Sequence, residues 1–215
     1  MRRATALSWS DSPSGNPAVP VVVAVAVDVA ERPAAAAQHR LPKTRNENMV
    51  LTKEELISSL QNEVRILLHL ASKVDRNQLD YRPTPKQRST IELLRYLTIM
   101  GPNLIPAIKT GTFDGAAFGA SQAAANAMNF DQVIAAIEKQ SAFYAQELGS
   151  MSDADFRGEI EMFGRKSSRG SLIVNLVLSG FAAYRTQLFL YLKACGRDEL
   201  NTMNLWGGVD APMQG

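Results

Sequence analysis

At 215 residues, with 46% hydrophobic and 20% charged residues, the chain has the composition of a soluble globular protein able to bury a sizeable core. Its net charge is only +2, and the segment after residue 48 is electrically balanced, so it offers no electrostatic footprint for nucleic acid. The single cysteine, Cys195, excludes an internal disulfide and a cysteine-built zinc site. Lys193 and Arg197 would favour a thiolate there, but a helix C-terminus opposes one, and packing is the favoured role.

Residues 1–48 differ in composition from the rest of the chain. "DSPSGNP", "VPVVVAVAVDVA" and "ERPAAAAQHRLPKTRNEN" are dominated by Pro, Ala, Ser and Gly, with no sustained helical period. The apolar run 18–27 is too short to span a bilayer, and a charged start far from it makes a poor secretory signal. The expectation is a disordered N-terminal extension, with a natural domain beginning at Met49 and spanning 49–208, then a tail over 209–215.

Helix one is expected from Thr52 to about Val74. Thr52 and Glu55 have capping-box spacing, and Leu56, Leu60, Val64, Leu67, Ala71 and Val74 recur at helical intervals. His69 falls on the opposite, polar face and reads as a solvated histidine. A Pro-rich loop, "DYRPTPKQRS", leads to a second capping box, Ser89 with Glu92, and to helix two with Ile91, Leu93, Leu94, Leu97 and Met100. Pro102 and Pro106 should kink or interrupt that helix. The Ala- and Gly-rich stretch 112–129 lacks large apolar residues and reads as a mobile loop. Helix three spans about Asp131 to Leu148, burying Val133, Ile134, Ile137, Leu148 and either Phe143 or Tyr144. Ser152 is a further cap candidate, and "GEIEMFGRKSSRGS" reads as extended or turn-like. "GRKSSRG" has the residue types of a phosphate loop without Walker spacing, so a solvated loop is the better reading.

Helix four, 171–196, is the most apolar segment. No charge lies between Ser171 and Tyr184, as in a membrane span, but Asn175, Ser179, Arg185 and Gln187 interrupt the run. A buried bundle helix, capped by Ser168 or Ser171 and stopped by Gly196, accounts for it better. The four segments together give an all-α four-helix bundle with no membrane span, and a cytoplasmic location is expected.

Three stretches, "DYRPTPKQRSTIELLRYL" (80–97), "SGFAAYRTQLFLYLKACG" (179–196) and "NTMNLWGG" (201–208), resemble in order and spacing the DinB-like, or YfiT-like, four-helix bundles. The resemblance implies one zinc or nickel ion held by three histidines. One comes from a helix-two pattern S-x-x-E-L-L-x-H-L, and two from a helix-four pattern H-x-x-x-H-R-x-Q-L. Residues four apart share a helix face, so two imidazoles can meet a third from a facing helix around one ion. In this chain "STIELLRYL" puts Tyr96 at the first ligand position, and "GFAAYRTQL" puts Gly180 and Tyr184 at the others. The framework residues Ser89, Glu92, Leu93, Leu94, Arg185, Gln187 and Leu188 are retained. The only histidines are His39 and His69, so no three-histidine site can be built, and no metal, cofactor or catalytic residue is assigned.

The replaced site admits two readings. In the first, the Tyr96 ring fills the space over Gly180, Tyr184 packs alongside, and Glu92, Asn175 or Gln187 receives a buried tyrosine hydroxyl. In the second, Gly180 leaves a pocket for a small molecule, gated by the two tyrosines. The resemblance implies, for the first, a non-catalytic binding or interaction protein, homodimeric through Phe181, Phe189 and Tyr191. For the second, it implies a metal-free relative of the family's thiol S-transferases and hydrolases, with Arg185 and the "GRKSSR" loop holding an anion. The plainer reading of those two basic features is a bundle ion pair and a solvated turn. Tyrosine acting as a general acid would require a perturbed environment.

Overall fold

The computed structural model describes residues 51–210. The expectations for residues 1–48, His39 among them, for a start at Met49 and for 211–215 lie outside the described residues. Helix α1 (Lys53–Ala71) starts at the expected capping box: the Thr52 side chain accepts from the Glu55 backbone N–H, and the Glu55 carboxylate accepts from the Thr52 N–H. A short 3-10 turn (Arg76–Gln78) and the Pro-rich loop lead to α2 (Thr90–Thr110), whose Ser89–Glu92 box is likewise formed. Pro102 and Pro106 do not interrupt α2. The helix runs through both, and the Asn103 side chain donates to the Ile99 carbonyl inside that stretch.

The stretch read as a mobile loop is instead helix α3 (Gly115–Asn126), a correction with a clear local cause. Asp114 accepts from the backbone N–H groups of Ala116 and Ala117, and alanine has the best intrinsic helix propensity. Only Ala125 is buried, so the helix forms without the apolar stripe that betrays most helices in sequence. The expected third helix is divided at Lys139 into α4 (Phe130–Glu138) and α5 (Gln140–Gly149), and Tyr144 rather than Phe143 is fully buried. Helix α6 (Asp153–Arg157) is capped by Ser152. Strands β1 (Glu159–Met162) and β2 (Arg165–Ser168) then pair antiparallel, with Glu159 opposite Ser168 and Met162 opposite Arg165. Phe163 and Gly164 make the two-residue turn, both at positive φ, as tight hairpins need. "GRKSSRG" is thus a hairpin strand whose Lys166 pairs with Glu159 in solvent.

The last helix is α7 (Arg169–Leu172), a π-helical stretch (Ile173–Leu178) and α8 (Ser179–Ala194) in unbroken succession. Its buried positions explain the wide turn. Ile173, Val177, Phe181 and Arg185 recur at a constant interval of four, and an ordinary helix of 3.6 residues per turn would rotate them off one face. Helices α1 and α2 each pack against both α5 and α8, which closes a four-helix bundle around Leu60, Leu67, Leu94, Ile105, Phe181 and Leu188. By length and composition Arg169–Ala194 would suffice to cross a membrane, yet its inner face is spent on this core.

A buried polar relay ties α5 to α2: the Tyr144 hydroxyl donates to Gln140 Oε1 (2.8 Å), and Gln140 Nε2 donates to the Leu97 carbonyl (2.8 Å). Burial pushes the Tyr144 phenol well above its ordinary range, so it stays a donor. Gly101 makes room for it, since a β-carbon there would overlap the Tyr144 hydroxyl. Gly101→Ala is therefore expected to lower stability by roughly 2–3 kcal/mol in urea denaturation, despite alanine's higher helix propensity. An unchanged or raised midpoint would show that the relay moves freely.

Candidate functional site

The residues that the sequence singles out at the α2–α8 contact do meet, in a two-rung seam. Tyr96 and Met100 lie one turn apart on α2, and Gly180 and Tyr184 one turn apart on α8. In the first rung, the rings of Tyr96 and Tyr184 pack edge to face with centroids 5.2 Å apart. In the second, Met100 covers Gly180: a β-carbon on Gly180 would lie 3.0 Å from Met100 Sδ and 3.2 Å from its Cε. Tyr184 thus packs beside Tyr96 as expected, but Met100, not Tyr96, fills the space over the glycine. A thioether is long, flexible and polarizable, which suits it to such a gap.

None of the partners foreseen for a buried tyrosine hydroxyl bonds Tyr96 or Tyr184. Glu92 accepts from the Ser89 N–H and pairs with Arg82 at 3.2 Å. The Ser89 N–H, acting against burial, holds its carboxyl below the ordinary value. Asn175 is exposed and its amide donates back to Ser171. Gln187 donates to the Tyr191 hydroxyl, which itself donates to the Arg88 carbonyl at 2.9 Å. That last bond anchors the loop before α2, and the Arg88 guanidinium then lies over the Tyr96 ring, 4.2 Å from its centroid. Arg88 carries no signal of this contact in the sequence. Burial foremost, and then Tyr184, raise the Tyr96 phenol, while Arg88 opposes them weakly. The shift makes Tyr96 a weaker acid, which runs against a general-acid role.

Arg185, one residue beyond the seam, is the buried ion-pair residue. Its Nε donates to Glu63 Oε2 at 2.5 Å, with both side chains withdrawn from solvent, and its Nη1 donates to the Leu205 carbonyl. The Trp206 ring caps the guanidinium at 4.9 Å. The cation is thus already paired with a carboxylate inside the bundle, as the plainer reading of Arg185 has it. Sequence reasoning misses Glu63, although its position has a signal: it falls between Leu60 and Leu67 on the core face of α1, where a lone acid requires a partner.

The C-terminal segment, a π-helical turn (Met203–Gly207) and the residues after it, is held on α1. Arg65 donates to the carbonyls of Gly207 and Gly208, and Lys73 pairs with Asp210 at 2.7 Å. Gly208 sits in the left-handed region with Ile66 so close that a β-carbon would lie 3.0 Å from the Ile66 Cα. His69 is covered here rather than solvated. Asn204 Oδ1 accepts from the Asn201 N–H, which turns its amide nitrogen toward His69 Nε2 (3.1 Å) and Asp210 (2.9 Å). His69 Nε2 must therefore accept, and the imidazole is neutral with its proton on Nδ1. Burial, then Lys73, depress its pKa below 6.5, with Asp210 opposing and Arg65 adding a smaller depression. Phe181 and Tyr191, expected at a dimer interface, are buried in the bundle core, and Phe189 packs half-buried against it.

Among the described residues, no three His, Cys, Asp or Glu side chains converge as a metal would require. The seam itself presents two phenols, a thioether and a glycine, a donor set that does not fit zinc or nickel of the three-histidine kind. Burial and the nearby Asp75 raise the Cys195 thiol, consistent with a packing role.

No family model matches the chain, and no curated protein matches it. Among solved structures, it is similar to a DinB-like protein of Bacillus subtilis, YjoA, at 19% identity and a TM-score of 0.53, covering 68% of this chain and 94% of that one. The fold is therefore that of a DinB-like bundle.

The neutral His69 gives a pH dependence of known sign. A histidine whose folded pKa is depressed leaves stability intact above its ordinary value and removes it as pH falls through that value. Carboxylates held low, such as Asp210 and Glu92, lose their contribution only in more acidic solution. Denaturation between about pH 7.5 and 5 should show stability falling in the wild type and a flatter profile in His69→Gln. Parallel profiles for the two proteins would exclude the neutral assignment.

Proposed function

We propose that this chain is a metal-free DinB-like protein that acts by binding or association rather than by metal-dependent transfer or hydrolysis. The observation that carries the reading is the α2–α8 seam, where Tyr96 packs on Tyr184 and Met100 on Gly180. The positions that the resemblance assigns to three imidazoles hold groups that pack against each other. Glycine has no donor atom, and a phenol kept protonated by burial is a poor ligand for a divalent ion. With Met100 over Gly180, the glycine leaves no ledge for a small molecule, which favours the filled site over the metal-free enzyme.

Association as a homodimer fits the outer face of the last helix. Asn175, Ser179, Ala183, Thr186, Leu190 and Ala194 are exposed at helical spacing and carry no charge, and only 33% of the most apolar 18-residue window is buried. A two-fold axis brings like residues together, so an uncharged face meets its own copy without repulsion. We place this protein in the cytoplasm, away from membrane and nucleic acid, because the last helix carries its one central charge inward to Glu63 and the domain is electrically balanced.

Elemental analysis of the purified full-length chain should find no stoichiometric zinc or nickel, whereas the triple variant Tyr96→His, Gly180→His, Tyr184→His should gain one equivalent. Stoichiometric metal in the wild type would overturn the reading, and a triple variant that folds yet binds none would show the three positions to be wrongly assigned. Light scattering should give a dimer mass for the wild type and a monomer mass for Ala183→Glu. A wild-type monomer at micromolar concentration would refute the association.

A further inference from the structure

Away from the seam, a cavity of about 570 Å³ opens between the start of α1, helix α6 and the start of α7. Its volume lies in the range of roughly 300–1,000 Å³ that holds small molecules. Leu56, Phe156 and Val174 give it an apolar wall, and none of them belongs to the seam. Its polar groups divide into committed and uncommitted ones. Lys53 spends its ammonium on the Gly149 and Met151 carbonyls, at 3.3 and 3.1 Å. The Ser168 hydroxyl accepts from the Ser171 N–H and the Ser171 hydroxyl from Asn175, so each keeps an O–H to donate. Arg157 takes part in none of the ion pairs among the described residues, and its exposed side chain lines the cavity.

We propose that this cavity binds a small monocarboxylate with an apolar tail, the carboxylate on Arg157 and the tail along Leu56, Phe156 and Val174. A guanidinium fork matches a carboxylate's two oxygens, and beside an apolar wall it selects an amphipathic anion rather than a fully polar one. Asp153 stands on the same rim one turn before Arg157, and its negative charge disfavours a phosphate dianion. The site does not depend on the state of the α2–α8 seam, so it stands or falls separately from the metal-free reading.

Calorimetric titration of the full-length chain with sodium octanoate, octanamide and inorganic phosphate tests it. Octanoate should bind about tenfold or more tighter than octanamide, the margin of a charge-assisted hydrogen bond, and phosphate should not compete. Arg157→Gln, an exposed change that leaves the core intact, should bring octanoate to the octanamide level, and Val174→Phe should weaken both. Equal affinity for acid and amide, phosphate binding as tight as octanoate, no binding of any probe, or a preference surviving Arg157→Gln would each overturn the proposal. Octanoate binding untouched by Val174→Phe in a folded variant would do the same.

Discussion

The buried pair between Arg185 and Glu63 is the constraint around which the rest of the molecule is arranged. Removing two charges from water is costly, and their attraction recovers that cost only when every remaining donor is satisfied. The pair is assembled from three places: α8 supplies the guanidinium, α1 the carboxylate, and the C-terminal segment the Leu205 carbonyl and the Trp206 ring. The C-terminal turn is therefore no loose appendage. It supplies part of the solvation that Arg185 gives up, and Arg65, His69 and Lys73 hold it in that position. Losing either charge would leave its partner buried alone, a penalty of about 3–5 kcal/mol and comparable to much of a domain's net stability.

The same pair explains why a helix so apolar belongs to a bundle. The window that passes as a membrane span contains Arg185, and lipid would have no carboxylate or carbonyl to give it. In the bundle the charge points inward and the π-helical stretch before it keeps Ile173, Val177 and Phe181 on the same inward face. The outer face, relieved of charge, is then free to be small and neutral. One interaction thus sets the rotation of the helix, and with it what α8 presents to α2 and to solvent.

Much of this architecture is legible in the sequence, because capping boxes and three-four spacing are local signals. Thr52–Glu55 and Ser89–Glu92 mark the starts of α1 and α2, and the extended reading of 158–171 matches the hairpin. What escapes depends on context. Helix α3 has a cap and good propensity but no apolar stripe, so composition alone suggests a loop. Pro102 and Pro106 obey no fixed rule once neighbouring helices and a side-chain bond from Asn103 support the backbone. Of the seam, Tyr96, Gly180 and Tyr184 are identifiable from a pattern, whereas Met100 and Arg88 are not. A methionine on a buried face carries no mark of which neighbour it covers, and Arg88 reaches Tyr96 from a loop whose backbone Tyr191 binds from the far end of α8.

The seam and the ion pair are adjacent on α8, and their neighbouring positions divide the contacts of that helix between two partners. Tyr184 and Arg185 point to different neighbours, one to α2 and the other to α1. Consecutive helical residues diverge by about 100°, so the two contacts are mechanically separate. The α2 contact is one of packed side chains, while the α1 contact is the buried ion pair. Gly180 fits this division, since the gap it leaves is filled by the flexible end of Met100 rather than by movement of backbone. Fold similarity at 19% identity carries the shape of the bundle and not the chemistry of its seam.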